Sequence, residues 1–261
     1  PISVTADALP ADLSAAPLVP DALLGPCWPV VYAALGSVVE DGMPLIEGLL
    51  GAVHLDHTID LHRSLAELAA DACPDEQITV DGWVEALEES SAGRVVDVRL
   101  ELREESTGEL VALMRERFAI RGRAHGNAVP SSPDLAGGTG RETAPAARRL
   151  LRRVTVTAPS DMTAFARVTG DFNPIHTSYH AAKVAGMQAP LVHGMWLSAA
   201  AQHAVQALSE DSAGAPPLRI VGWTARMLAP VRPGPERQTR HIEIVATRAQ
   251  RRARARLRGG R

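Results

Sequence analysis

Between residues 78 and 120 three apolar runs follow one another. The middle one, Val96-Asp97-Val98-Arg99-Leu100-Glu101-Leu102-Arg103, alternates apolar and polar without a break. Side chains on a strand point to opposite faces with a period of two. Such a run predicts a strand with one face on a core and the other toward water, as in an antiparallel sheet. The first run covers residues 78–87; the third, 109–120, is joined to the second through Glu105-Ser106-Thr107-Gly108, a hairpin loop. Ahead of them residues 27–39, CWPVVYAALGSVV, are short and densely apolar. They read as a buried helix with Pro29 in its first turn, although their β-branched residues keep a strand open. A helix followed by long strands is what a sheet wrapped around one helix produces, an α+β arrangement.

The plan recurs after a break. Residues 122–147, GRAHGNAVPSSPDLAGGTGRETAPAA, are rich in Gly, Pro, Ala and Ser and lack apolar periodicity, which predicts a flexible linker. The basic cluster at residues 148–153 reads as a solvated junction in preference to a carrier-protein contact. Val154-Thr155-Val156-Thr157 starts a strand, and Ser160 is expected to cap a short helix over 161–168. A second short helix, 178–184, is closed by Gly186, and a long Ala-rich helix runs to about Leu208. A loop at 209–217 leads to strands over 218–228 and 240–247. Residues 1–25, rich in Pro, Ala and Leu, read as one short strand and an extended connector.

Composition excludes several classes. A net charge of −3 gives no general attraction to nucleic acid or an anionic membrane. No run approaches the roughly 20 apolar residues of a membrane span, and no signal sequence opens the chain. Two cysteines, Cys27 and Cys73, make no disulfide framework and read as buried thiols of a reducing, cytoplasmic compartment. The chain opens at Pro1, as expected of a piece of a longer multidomain protein. His54 and His57 invite a metal reading, but no third ligand is evident.

The chemistry concentrates in TGDFNPIHTSYHAAKVAGMQAPLVHGMW, residues 169–196. Asp171 and His176 lie across Asn173-Pro174, and the residue before a proline is biased away from helix, so both side chains sit on an irregular turn and can converge. A carboxylate beside an imidazole suits general acid–base work, since the imidazole titrates close to neutrality. Downstream His193-Gly194 opens the long helix. Glycine there lets a ligand approach the backbone, and the free N–H groups of a helix start can polarise a carbonyl.

The twelve residues 165–176, FARVTGDFNPIH, with Ala182 six positions on and His193-Gly194-Met195 beyond, resemble the signature of the MaoC-like, or hydratase 2, family of hot-dog enoyl-thioester hydratases and dehydratases. The stretches PDALLGPCWP, EGLLGAVHLDH and GMWLSAAAQH resemble, more narrowly, the dehydratase region of actinobacterial type I fatty acid synthase, up to about Gly234. The resemblance implies Asp171 and His176 as the catalytic pair and the Gly194 N–H as oxyanion donor. Asn173 supports the turn and, with His193, positions substrate.

It further implies a double hot dog: a non-catalytic domain at 1–121, the linker at 122–147 and a catalytic domain at 148–261. The expected activity is a (3R)-hydroxyacyl dehydratase acting on an acyl thioester of acyl carrier protein or CoA. No metal, nicotinamide or flavin is expected, because β-elimination changes no oxidation state and no Gly-rich nucleotide loop is present. Partners are the carrier, neighbouring synthase domains and, through them, a homo-oligomer; neither nucleic acid nor membrane is expected. The alternatives are a stand-alone (R)-specific enoyl-CoA hydratase, a hot-dog thioesterase and a non-catalytic bracing module of a megasynthase. The last gains weight from the tail, RAQRRARARLRGGR, which stands where two closing strands are expected.

Overall fold

The computed structural model describes residues 18–37, 39–40, 43–44, 51–63, 65, 68, 77–91, 93–120, 148–210, 220–227, 229–232 and 240–249. Two 3-10 turns, Pro20–Leu23 and Gly25–Cys27, lead into α1 (Trp28–Ser37). Prolines at the starts of both turns hold φ near the helical value and lack an N–H that would have no partner there. The end of the expected extended connector is therefore wound up; its preceding strand falls outside the described residues. The apolar stretch after it is a helix, as read first, and buries Trp28, Val31 and Leu35.

Two-residue strands β1 (Val39–Glu40) and β2 (Met43–Pro44) pair with each other. Four long strands follow: β3 (Ala52–Leu61), β4 (Ile78–Ser90), β5 (Gly93–Glu104) and β6 (Leu110–Ile120). They form an antiparallel sheet in the order β4-β5-β6-β3, and β8 (Gly222–Arg226), from much later in the chain, adds to its β3 edge. The alternation seen in the sequence is the inward face of β5. Val96, Val98, Leu100 and Leu102 are buried in one cluster with Ile59, Val111, Met114, Phe118 and the apolar side of α1. The opposite face is not simply wet, because Asp97 lies directly across from Arg117 in the register and accepts from its Nε at 2.7 Å. Opposite charges on facing strands stabilise each other and permit that burial.

The second half is smaller. Strand β7 (Arg148–Ala158) pairs antiparallel with β9 (Arg240–Ala249), and helix α4 (Gly194–Glu210) packs against them through Trp196, Ala204, Val154 and Val156. The cluster at 148–153 is thus strand rather than junction, since pairing with β9 supplies its backbone hydrogen bonds. Of the strand expected over 218–228, β8 is the part that pairs with β3; residues 220, 221 and 227 lie outside it, and 218, 219 and 228 are outside the described residues. This half also has two short helices, α2 (Thr163–Thr169) and α3 (Tyr179–Val184). The N-cap residue of α2 is Met162, not Ser160, and it makes no side-chain cap bond; a side-chain acceptor comes instead from Asp161. Its carboxylate accepts from the Thr163 N–H at 2.9 Å and from the Thr163 hydroxyl at 2.7 Å.

The chain has the expected α+β hot-dog architecture, long helices backed by antiparallel strands. Among the described residues no helix is long and apolar enough to cross a membrane. Cys27 is buried and unbridged, and burial, then the charge of Glu116, pushes its thiol up to about 12. The linker, Cys73 and the arginine-rich tail beyond Ala249 lie outside the described residues.

Candidate active site

Helix α2 stops at Gly170, whose φ of +78° is the left-handed conformation favoured at a helix C-cap, and whose N–H returns to the Ala166 carbonyl at 2.9 Å. The turn sends Asp171 inward and leaves Phe172 exposed. Asp171 Oδ1 accepts from the Asn173 N–H at 3.1 Å, and Asn173 Oδ1 accepts from the Ile175 N–H at 3.3 Å. These are two successive side-chain turns of the kind that short Asx side chains form. Pro174 cannot donate, so the chain closes instead through the His176 N–H to the Asn173 carbonyl at 3.1 Å and the Ser178 N–H to the Pro174 carbonyl at 2.8 Å. Ser178 then caps α3 by accepting from the Ala181 N–H. The result is that Asp171 and His176 face one space.

The tautomer of His176 follows from its neighbour. Its Nδ1 lies 2.9 Å from the Leu191 carbonyl, which can only accept, so Nδ1 carries the proton and Nε2 presents a lone pair. That Nε2 lies 4.0 Å from Asp171 Oδ2. The separation is too long for a direct hydrogen bond, and an oxygen set to one side of the line joining them can bond to both. Burial holds His176 below its ordinary pKa, against the opposing pull of Asp171, so the ring is uncharged near neutrality.

His193 stacks on His176 with ring centroids 3.8 Å apart and planes 24° apart. Its Nε2 donates to the Asp171 backbone carbonyl at 3.2 Å. Burial, and then His176, lower it to about 4. Neither His193 nor Asn173 lines the cavity; both brace the catalytic turn from behind. Ligand atoms of Asp171, His176 and His193 lie within 4.8 Å of one another, a spacing that could suit a metal. Ligation needs lone pairs converging on one point at about 2.0–2.2 Å. Two near-parallel stacked imidazoles aim theirs side by side, and His193 Nε2 already donates to a carbonyl. The geometry therefore favours proton transfer.

Gly194 is the first residue of α4 and lines the same cavity, of about 900 Å³, with Asp171 and His176. The first N–H groups of a helix have no acceptor within it. A Cβ at Gly194 would meet Met227 Cγ at 2.7 Å, so the packing requires glycine unless Met227 moves. Apolar walls come from Leu191, Met195 and Met227, and the first half of the chain supplies Val53, His54 and Leu55. An apolar cavity with a few convergent polar groups is the usual form of a small-molecule site.

The first half also holds what the sequence did not reveal. The Tyr32 hydroxyl on α1 donates to Asp171 Oδ1 at 2.7 Å. His54 and His57 are held by a carboxylate rather than a metal: His57 Nδ1 lies 2.6 Å from Glu116 Oε1, and His54 Nε2 lies 2.8 Å from Glu116 Oε2. His57 Nε2 reaches Asp21 at 3.1 Å, and Asp21 accepts from Gln202 of α4 at 2.5 Å. Burial draws the His57 pKa down, but Glu116 and Asp21 outweigh it and raise it to about 10. Charges separated by so many residues give no local sequence signal.

Residues 141–255 match the family model of the MaoC like domain. The fatty acid synthase subunit beta of Saccharomyces cerevisiae is 33% identical over 89 residues, 33% of this chain and 4% of that protein. The fatty acid synthase beta subunit TOXC of Cochliobolus carbonum is 46% identical over 56 residues, 22% of this chain and 3% of that protein. The chain thus matches only a few per cent of the length of these curated relatives. In fold it is similar to HtdX of Mycobacterium tuberculosis, with a TM-score of 0.51 and 21% identity over 81% of this chain and 70% of that one. It is also similar to a MaoC-like dehydratase from Phytophthora capsici, with a TM-score of 0.53 and 18% identity over 79% of this chain and 62% of that one.

Proposed function

We propose that this chain, whose residues 141–255 match the MaoC like domain, is a MaoC-like dehydratase that interconverts a (3R)-hydroxyacyl thioester and a trans-2-enoyl thioester. The observation that carries this reading is the pairing of a His176 Nε2 lone pair with Asp171 Oδ2 across 4.0 Å, facing the cavity. With the substrate hydroxyl between them, His176 takes the proton from C2, and that bond's electrons form the C2–C3 double bond. The C3–O bond breaks, and the leaving oxygen takes the proton from His176 to depart as water, held by Asp171 Oδ2. The Gly194 N–H donates to the thioester carbonyl, where enolate-like charge builds up, and such a fixed donor favours the transition state. His193 and Asn173 keep the turn in register. Hydration of the enoyl thioester runs through the same groups in reverse.

We further assign the substrate to the phosphopantetheine arm of an acyl carrier protein within a type I fatty acid synthase, in the cytoplasm. The likeness to two synthase beta subunits supports that setting. In this reading residues 1–121 are a hot dog without the catalytic motif, 122–147 a linker and 148–261 the catalytic hot dog. The test is hydration of crotonyl-CoA, followed by loss of enoyl-thioester absorbance. His176→Ala and Asp171→Asn are each expected to lower kcat on the order of 10²–10⁴-fold, the share typical of a positioned proton-transfer group. Folded variants that keep the parent rate would overturn the assignment and favour the bracing module. Replacing CoA by a carrier protein is expected to lower KM; equal use of both would favour the stand-alone hydratase.

A further inference from the structure

Beyond lining the cavity, the first half of the chain bonds a catalytic side chain directly, through the Tyr32 hydroxyl. Tyr32 lies one helical turn beyond Trp28 on α1 and stacks on it, with ring centroids 5.6 Å apart. It packs against the main apolar cluster of the first half, so its ring is held from two sides. Its oxygen lies 2.7 Å from Asp171 Oδ1, the same oxygen that accepts the Asn173 N–H. Burial first, and the Asp171 charge second, drive the phenol pKa upward, so the group is a permanent donor. Two donors on Oδ1 fix the rotation of the carboxylate and leave Oδ2 facing the stacked histidines, 3.6 Å from His193 Nε2 and 4.0 Å from His176 Nε2.

We propose that Tyr32 is a positioning residue for the reaction: it holds the Asp171 carboxylate from the first half of the chain, so that Oδ2 stays aimed at the leaving oxygen. The role rests on the dehydratase reading above, in which Asp171 Oδ2 contacts that oxygen. It changes the standing of the first half, which then completes the site as well as lining its cavity. Without the hydroxyl, Oδ1 keeps only the Asn173 N–H, and the carboxylate can swing away from His176.

Tyr32→Phe removes the donor and keeps the ring. A hydrogen bond to a charged group contributes about 1.5–3 kcal/mol, so kcat for crotonyl-CoA hydration is expected to fall roughly 10- to 100-fold, with KM within about twofold of the parent. In an Asp171→Asn background the same change is expected to lower the residual rate less than twofold, because the two residues act as one unit. An unchanged kcat, a loss confined to KM, or equal losses in both backgrounds would overturn the proposal. Crystal structures of the parent and Tyr32→Phe give a readout that needs no turnover. A single Asp171 rotamer in the parent and a second one in the variant supports the role, and an unmoved carboxylate refutes it. A parent without hydratase activity would count against the dehydratase reading alone, and the crystallographic comparison would still decide the hydrogen bond's part.

Discussion

The two halves of this molecule each set a helix against antiparallel strands but are unequally endowed. The first surrounds α1 with four long strands and buries a continuous apolar cluster, but it has no Asp-Asn-Pro-His turn. The second has that turn, while its long helix rests on β7 and β9 through a small cluster of Val154, Val156, Ala204 and Trp196. The second half makes up the difference by leaning on the first. Its strand β8 pairs with β3, its Gln202 bonds Asp21, and its Asp171 accepts from Tyr32. Catalytic side chains must be held within a fraction of an ångström by well-packed surroundings. Here the well-packed part and the chemically equipped part are different regions of one chain, so changes far from the motif, in the first half, should reach the site.

The largest such change is at Glu116, fully buried between His57 and His54. Removing it leaves the charge on His57 with only Asp21. Breaking a buried pair by deleting one partner costs roughly 3–5 kcal/mol, so Glu116→Ala is expected to shift the urea midpoint strongly. Arg115→Ala, which opens a solvent-exposed pair with Glu85 in the same sheet, should cost no more than about 1 kcal/mol. Equal shifts for both would show that the first half does not depend on its buried charges.

A smaller effect separates the halves by pH. His57 has a folded pKa raised from its ordinary 6.5 to about 10, so the stability it contributes is complete below 6.5 and is lost as pH rises toward 10. Glu116 moves the other way: burial pushes its pKa up, but the charges of His57 and His54 prevail and lower it from 4.5. Its contribution is present above 4.5 and lost below. Thermal melts should therefore plateau between about pH 4.5 and 6.5 and decline on either side. Burial holds His176 below 6.5, so the acid limb of kcat/KM for hydration should lie below pH 6.5. An acid limb above 6.5 would mean that His176 is charged in the free enzyme.

Much of this was legible in the sequence because it is local. The alternation of residues 96–103 gave β5 its face, and Asp171, Asn173, Pro174 and His176 carry their turn within six residues. Gly186, with φ of +75°, closes α3 where it was expected. What stayed hidden depends on residues brought together only by the fold. Tyr32 and Asp171 are 139 positions apart, and Asp21 and Gln202 are 181 apart. Pairing decided the strands at the margins: β7 extends to Arg148 because β9 lies opposite, and β8 is short because its edge belongs to the first sheet. His54 and His57 have a spacing that could suit a metal or a carboxylate, and only the arrival of Glu116 from β6 chooses between them.

The smallest expected effects lie where the halves touch, at Gly25 and Gly170. A Cβ at Gly170 would meet only the Gly25 carbonyl at 3.5 Å, an ordinary contact, so the cost of Gly170→Ala is that of a left-handed residue, about 1–2 kcal/mol. A Cβ at Gly25 would press on the Thr169 carbonyl at 3.3 Å without any such backbone penalty. Gly25→Ala should then change stability by less than 1 kcal/mol while nudging the segment that carries Asp171 by a few tenths of an ångström. Misplacement of a catalytic group by about 1 Å can cost 10²-fold, so a shift of this size should lower kcat roughly a few-fold. A Gly25→Ala protein with parental kcat would show that the second half holds its catalytic turn without support at this contact, and would leave Tyr32 as the bond through which the first half acts.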